Sequence, residues 1–229
     1  MLYGGRLGPG PVVDDTWAWD GSAWRELDAG TGTPPLGEAS VMAWDDARQE
    51  MVLVNGESGF GQAGPHGGGN TWIWNGARWV RQFSGDLPPG TFLVGVAPDP
   101  MTGQLLAAGC CADPRGTTTT WAWGATGWHP VSTPTEPTFT TTLALDPISD
   151  RIVLFADASL APGREIWSWN GRDWTPLAGA RPPVFPEAAV NDTDASRLVL
   201  LGSFAEPVQG TPQPVHLWSW TGSTWRQLG

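Results

Sequence analysis

The sequence predicts an all-β fold: a β-propeller of five blades, each an antiparallel four-stranded meander, with the first blade lacking its opening strand A. Three observations carry this expectation. The pattern W-x-W-x-x-x-x-W recurs five times without insertion, beginning at Trp17, Trp72, Trp121, Trp167 and Trp218, and holds 15 of the 16 tryptophans. Copies are spaced by 46–55 residues, in the range of propeller blades and long repeats. A second gapless unit lies between them, an apolar run, a polar turn and another apolar run, aligned on Asp45, Asp99, Asp146 and Asp192. One tryptophan cluster is compatible with a site, but five in register are architecture.

Each element follows from local chemistry. The aligned Asp units, such as "VMAWDDARQEMVLVNG" (41–56), give strands A and B on either side of a turn. In the tryptophan unit, alternation puts the two tryptophans of W-x-W on one face of strand C. On the other face stands Ala18, Ile73, Ala122, Ser168 or Ser219. Asp20-Gly21, Asn75-Gly76 and Asn170-Gly171 follow, pairs that accept the positive φ of a tight turn. The third tryptophan opens the return strand D. Blades are expected over about 1–27, 38–82, 90–131, 138–177 and 184–228, within a single domain 1–229. The first tryptophans Trp72, Trp121, Trp167 and Trp218 are expected to be buried between blades, where such rings suit a pleated surface.

Composition narrows the function classes. The net charge is −11 and all 12 basic residues are arginine. Nucleic-acid binding needs a cationic stripe to displace counterions, and an anionic lipid surface needs the same, so neither is expected. Without lysine there is no Schiff-base chemistry. No apolar run is long enough to span a membrane, and no cationic, apolar leader precedes residue 15. The adjacent Cys110 and Cys111 would close a strained eight-membered ring if bonded to each other, so free thiols at a strand end are expected.

These motifs, with "MLYGG" (1–5) and "DTWAWDGSAWREL" (15–27), resemble the bacterial kelch-repeat β-propellers of the kelch and galactose-oxidase central-domain type, over essentially the whole chain. The family's double glycine survives only as Gly4-Gly5. In that alignment Met1 falls inside strand B, which implies either a five-bladed ring with one three-stranded blade or a piece of a longer propeller. The exposed edge of strand B is then a route to self-association. The resemblance also directs attention to the oxidase copper site, built from two tyrosines and two histidines. Here there is one tyrosine, Tyr3, and His66, His129 and His216 sit at non-equivalent positions. No metal and no cofactor is expected. "WDGSAW" (19–24) is similar to the sialidase Asp box but lacks its serine, and Tyr3 is a poor nucleophile candidate. Asp86, Glu136 and Glu206 are loop acids that a glycosidase pair would need. The Gly-rich "GQAGPHGGGN" (61–70) lacks the features of a phosphate cradle.

Binding remains. In such a meander the A–B and C–D turns share one end of each blade, and the B–C and D–A loops share the other. The first set is constant in length. From the end of strand B to the first tryptophan, however, the chain takes 12, 16, 11, 10 and 15 residues. Freedom of length on one face leaves it open to recognition. Seven residues before the aligned Asp lie Glu38, Phe92, Phe139 and Phe185, at the start of strand A. Two readings of this recurrent aromatic stand: a plug or wedge between blades, or a rim that stacks sugars or apolar peptide side chains. The sequence therefore points to a non-catalytic module that binds a protein or a glycan on the B–C/D–A face. Glu38, Phe92, Phe139 and Phe185 would lie near the site's centre, with Phe60 and His66 at its edge. A propeller enzyme with an unrecognised site and a structural spacer are the alternatives. The resemblance favours a bacterial surface or secreted protein.

Overall fold

The computed structural model describes residues 1–6, 12–27, 32–34, 40–55, 69–82, 87–88, 91–110, 115–156, 165–177, 181–204 and 214–228. They contain nineteen strands and no helix, in five antiparallel sheets, one from each repeat. Blade 1 has three strands, β1 (Leu2–Arg6), β2 (Val12–Trp19) and β3 (Trp24–Leu27). Blade 2 has β4 (Ser40–Asp45), β5 (Glu50–Asn55), β6 (Asn70–Trp74) and β7 (Trp79–Gln82). Blade 3 has β8 (Phe92–Asp99), β9 (Gln104–Cys110), β10 (Thr119–Gly124) and β11 (Gly127–Val131). Blade 4 has β12 (Thr140–Asp146), β13 (Arg151–Ala156), β14 (Glu165–Trp169) and β15 (Trp174–Pro176). Blade 5 has β16 (Phe185–Asp192), β17 (Arg197–Ser203), β18 (Val215–Trp220) and β19 (Trp225–Leu228). The all-β, five-bladed propeller class is thus met, with the first blade short of strand A. Within the sheets every strand pairs with its sequence neighbour, and β1 is an edge. The chain divides into two compact units, Met1–Leu93 with Thr126–Trp128 and Val94–Ala125 with His129–Gly229.

The turns form as their residues dictate. In the A–B turns, Asp45 Oδ1 accepts from the N–H groups of Ala47 and Arg48, Asp99 Oδ1 from Met101, and Asp146 Oδ1 from Ile148. Each carboxylate thereby satisfies backbone donors that the turn leaves free, and all three are buried. Four residues after each Asp the backbone is left-handed: φ is 56° at Gln49, 71° at Gly103, 54° at Asp150 and 47° at Ser196. In the C–D turns, Asp20, Asn75 and Asn170 accept from the two N–H groups that follow the glycine. Those glycines, Gly21, Gly76 and Gly171, carry φ of 101°, 95° and 88°. Thr221 makes the equivalent turn in blade 5 through its hydroxyl.

The tryptophans divide by role. The second and third of each motif pair across the C–D hairpin, as in Trp74 with Trp79 and Trp169 with Trp174. These four rings are buried. The third tryptophan also reaches the preceding blade. Trp79 Nε1 donates to Thr16 Oγ1 at 3.0 Å and Trp128 Nε1 to Thr71 Oγ1 at 3.0 Å, both within the first unit. Trp174 Nε1 donates to Thr120 Oγ1 at 2.9 Å within the second. The acceptor is always the threonine just before the first tryptophan of the previous motif. In blade 4 that place is taken by Ile166, and the Trp225 N–H is buried without a partner. Trp225 still packs against the apolar cluster of Phe155, Ile166 and Leu200. In blade 1, Trp19 and Trp24 are each 50% exposed.

The first tryptophans do not behave as a group. Trp121 is buried as expected, but Trp72, Trp167 and Trp218 are only half-buried. All four lie nearer the B–C end than the paired rings of their hairpins, and at that level burial differs from blade to blade. The thiol expectation is overturned as well. Cys110 is disulfide-bonded, and the chain's one other cysteine is Cys111.

Two predictions follow from these contacts. Trp174→Phe strands the buried Thr120 hydroxyl and should cost about 1 kcal/mol or more beyond Trp225→Phe, which deletes an N–H that has no acceptor. Urea denaturation of the two variants measures the difference, and equal losses would refute the role of the threonine. Ser196→Gly should stabilise by about 0.5 kcal/mol, because a left-handed φ is free of Cβ strain only for glycine, less the backbone entropy that glycine loses. An unchanged or lowered denaturation midpoint would count against that account.

Candidate functional site

The B–C and D–A segments do meet at one end of the blades, and main-chain hydrogen bonds hold them there. In the first unit Gly69 N–H donates to Asn55 O at 2.7 Å, and Leu87 N–H to Gly69 O at 3.1 Å. In the second unit, Thr118 N–H donates to Pro137 O at 2.8 Å and Phe139 N–H to Gly116 O at 2.9 Å. Thr117 and Thr138 form a β-bridge between the same segments. The buried hydroxyls of Thr118 and Thr140 lie 2.8 Å apart. The loop before β10 is therefore zipped to the segment before β12.

Phe139 sits on this zipper. Its φ is 52°, a left-handed backbone on a bulky residue outside any tight A–B turn. Such strain costs about 1–3 kcal/mol and persists only where the surroundings over-determine it. Here the surroundings are the main-chain bonds on both sides and a glycine beneath the ring. A Cβ added at Gly116, itself at φ 66°, would lie 2.7 Å from the phenyl carbons. The ring is half-buried and lies against Gly116. Cys110, next to this seat, has its Sγ 3.6 Å from Gly116 O.

The other expected site residues distribute unevenly. Phe92 opens β8 and Phe185 opens β16, both half-buried, so all three phenylalanines hold equivalent places at the start of strand A. Phe139 and Phe185 belong to the second unit and Phe92 to the first. Glu38, Phe60 and His66 lie outside the described residues, as do Asp86 and Glu206. Gly116, the seat of Phe139, was not singled out by the sequence reading. The signal was a lone glycine in the short stretch "PRGT" (114–117), which repeat alignment does not mark.

The ionisable groups act mainly as fasteners. The Tyr3 hydroxyl donates to Pro34 O, and burial together with Asp14 and Asp15 pushes its phenol well above the usual tyrosine range. A phenol so placed is a structural donor rather than an ionised nucleophile. Asp173 accepts from Thr135 N–H at 3.0 Å and from the Thr135 hydroxyl at 2.9 Å. Desolvation works to raise its pKa, but these bonds prevail and hold it below the usual carboxylate range. Glu136 and His129 are exposed. Among the described residues no three His, Cys, Asp or Glu side chains gather as metal ligands.

No family model and no curated protein matches the chain. Among solved structures it is similar to a fucose-specific lectin from Aleuria aurantia, with a TM-score of 0.58 and 16% identity over 94% of this chain and 69% of the lectin. It is also similar to a protein from Bifidobacterium bifidum assigned as an exo-β-1,3-galactanase, with a TM-score of 0.54 and 12% identity over 95% of this chain and 82% of the other. The likeness is one of fold. It supports a β-propeller and carries no kelch-repeat assignment, and at such identities no functional residue transfers.

Gly116→Ala tests the seat. The added methyl meets both the Phe139 ring and a left-handed φ, so a loss of about 1–3 kcal/mol is expected. A melting temperature equal to that of the unsubstituted chain would show that Phe139 is not held by this contact.

Proposed function

We propose that this chain is a non-catalytic module that binds carbohydrate on the face where the B–C and D–A segments meet. The observation that carries the reading is Phe139, a half-open ring held in a strained backbone conformation by a zipper of main-chain bonds. A residue whose only task was to fill space would be served by an extended backbone at lower cost. Strain of this kind collects where a side chain must be presented in one orientation. Phe92 and Phe185 repeat the same position without that strain.

Carbohydrate is favoured over a protein partner by two further points. The open part of an aromatic ring matches the apolar C–H face of a pyranose, a contact that needs only a small surface. The fold is also one that a fucose-specific lectin uses. With a formal charge of −11, the chain suits neutral rather than polyanionic glycans.

A glycan array on the intact chain, followed by titration of any hit, tests this. Phe139→Ala should weaken binding by about tenfold or more, as for a central interface aromatic, while the denaturation midpoint moves little. The small midpoint change is expected because a half-buried ring at the end of a strand fills no closed core cavity. A large loss of stability with no glycan retained by the unsubstituted chain would leave Phe139 as a wedge and the propeller as a spacer. Retention of a protein partner instead, unaffected by any sugar, would move the reading to that class.

A further inference from the structure

We infer a second ligand site on blade 5, formed by Phe204, His216, Trp218 and Gln227 and suited to a neutral pyranose. The inference starts from the half-buried first tryptophans. The hairpin fixes the tryptophan itself but not its neighbours: the residue two places earlier and the one opposite on strand D. These are Asp15 and Glu26 around Trp17, Asn70 and Arg81 around Trp72, Glu165 and Pro176 around Trp167, and His216 and Gln227 around Trp218. A constant ring with variable polar flanks is how a repeat presents different chemistry from one scaffold.

The blades use that place differently. In blade 1 the Trp17 N–H is taken up by Asp15 at 2.7 Å. In blade 2 the Arg81 guanidinium lies over the Trp72 ring at 6.0 Å and also donates to Asn70, so its face is covered. In blade 4 a proline stands opposite Trp167. Blade 5 instead adds an aromatic. Phe204, immediately after β17, lies 4.2 Å from the His216 ring and 6.4 Å from Trp218, edge to face with the latter. It is 53% exposed. A phenyl ring left half in water costs hydrophobic free energy that covering it would recover.

The polar groups complement that surface. Gln227 Nε2 and His216 Nδ1 are 3.4 Å apart, and with the amide donating, the neutral imidazole carries its proton on Nε2. That N–H and the Gln227 Oε1 have no further side-chain partner among the described residues. Among the described residues this leaves one donor and one acceptor beside an exposed phenyl ring, a set that matches a hydroxyl pair and the C–H face of a pyranose. No charged side chain belongs to the cluster, which fits a neutral sugar. All four residues lie in one compact unit, and none is Phe139 or its seat.

Saturation-transfer NMR on the full chain, with the methyl glycosides of galactose, glucose, mannose and fucose at millimolar concentration, tests the site. At least one sugar should receive transfer at ring protons of one face. Phe204→Ala should weaken that sugar by about tenfold, and His216→Ala should weaken it comparably. Both side chains lie at the surface, so melting curves should stay close to the parent. Phe139→Ala should leave this signal in place, which separates the blade 5 site from the one proposed above. Transfer to none of the four sugars would overturn the inference. So would transfer that survives Phe204→Ala unchanged, whether or not Phe139→Ala abolishes it.

Discussion

The contact on which the rest depends is the indole N–H that crosses from one blade to the threonine of the blade before. Burying tryptophans is favourable by area alone, but a buried N–H without an acceptor returns part of that gain. Thr16, Thr71 and Thr120 resolve the conflict with one hydroxyl each, placed next to the first tryptophan of its own motif. Within each compact unit the same residue pair thus ties one motif to the one before it. Where the pair breaks, at Ile166 and Trp225, packing alone maintains the contact, and the donor stays unsatisfied.

A second constraint comes from the turns. An Asp that caps its own turn and a left-handed residue four places later make the A–B hairpin self-sufficient. The Asx-type C–D turns do the same at the same end of the blade. Because both turn types satisfy their own backbone, that end keeps a constant length from blade to blade. The opposite end has no such closed motif. Its segments find hydrogen bonds in one another, as Thr118 does with Pro137 and Phe139 with Gly116. A face assembled this way can change length and composition without disturbing the sheets, and both proposed sites draw on that freedom.

The tryptophans illustrate how one motif serves two ends. Its second and third rings are committed to the hairpin and the neighbouring blade. Its first ring sits farther along the strand, where burial is partial and the surroundings differ between blades. The question of site or architecture therefore has a different answer for different residues of the same repeat.

By itself the sequence determined the number of repeats, the order of strands within them and the glycine turns at Asp20-Gly21, Asn75-Gly76 and Asn170-Gly171. These are set by local rules: period-2 alternation, Asp and Asn reaching their own backbone, and glycine at positive φ. The equivalence of Phe92, Phe139 and Phe185 was legible for the same reason, since it is a matter of counting from an aligned Asp. Only the tertiary structure decided that Phe139 alone of the three phenylalanines is strained and seated on Gly116, that Trp121 is buried while the other four first tryptophans are half-buried, and that Phe204 joins His216 and Trp218. These depend on which segments meet across a blade or between blades. Contacts between loops of unequal length carry no periodic signature, and the disulfide of Cys110 runs against the local strain argument that spoke for free thiols. Repetition makes a fold readable, whereas a site is built from the places where the repeats differ.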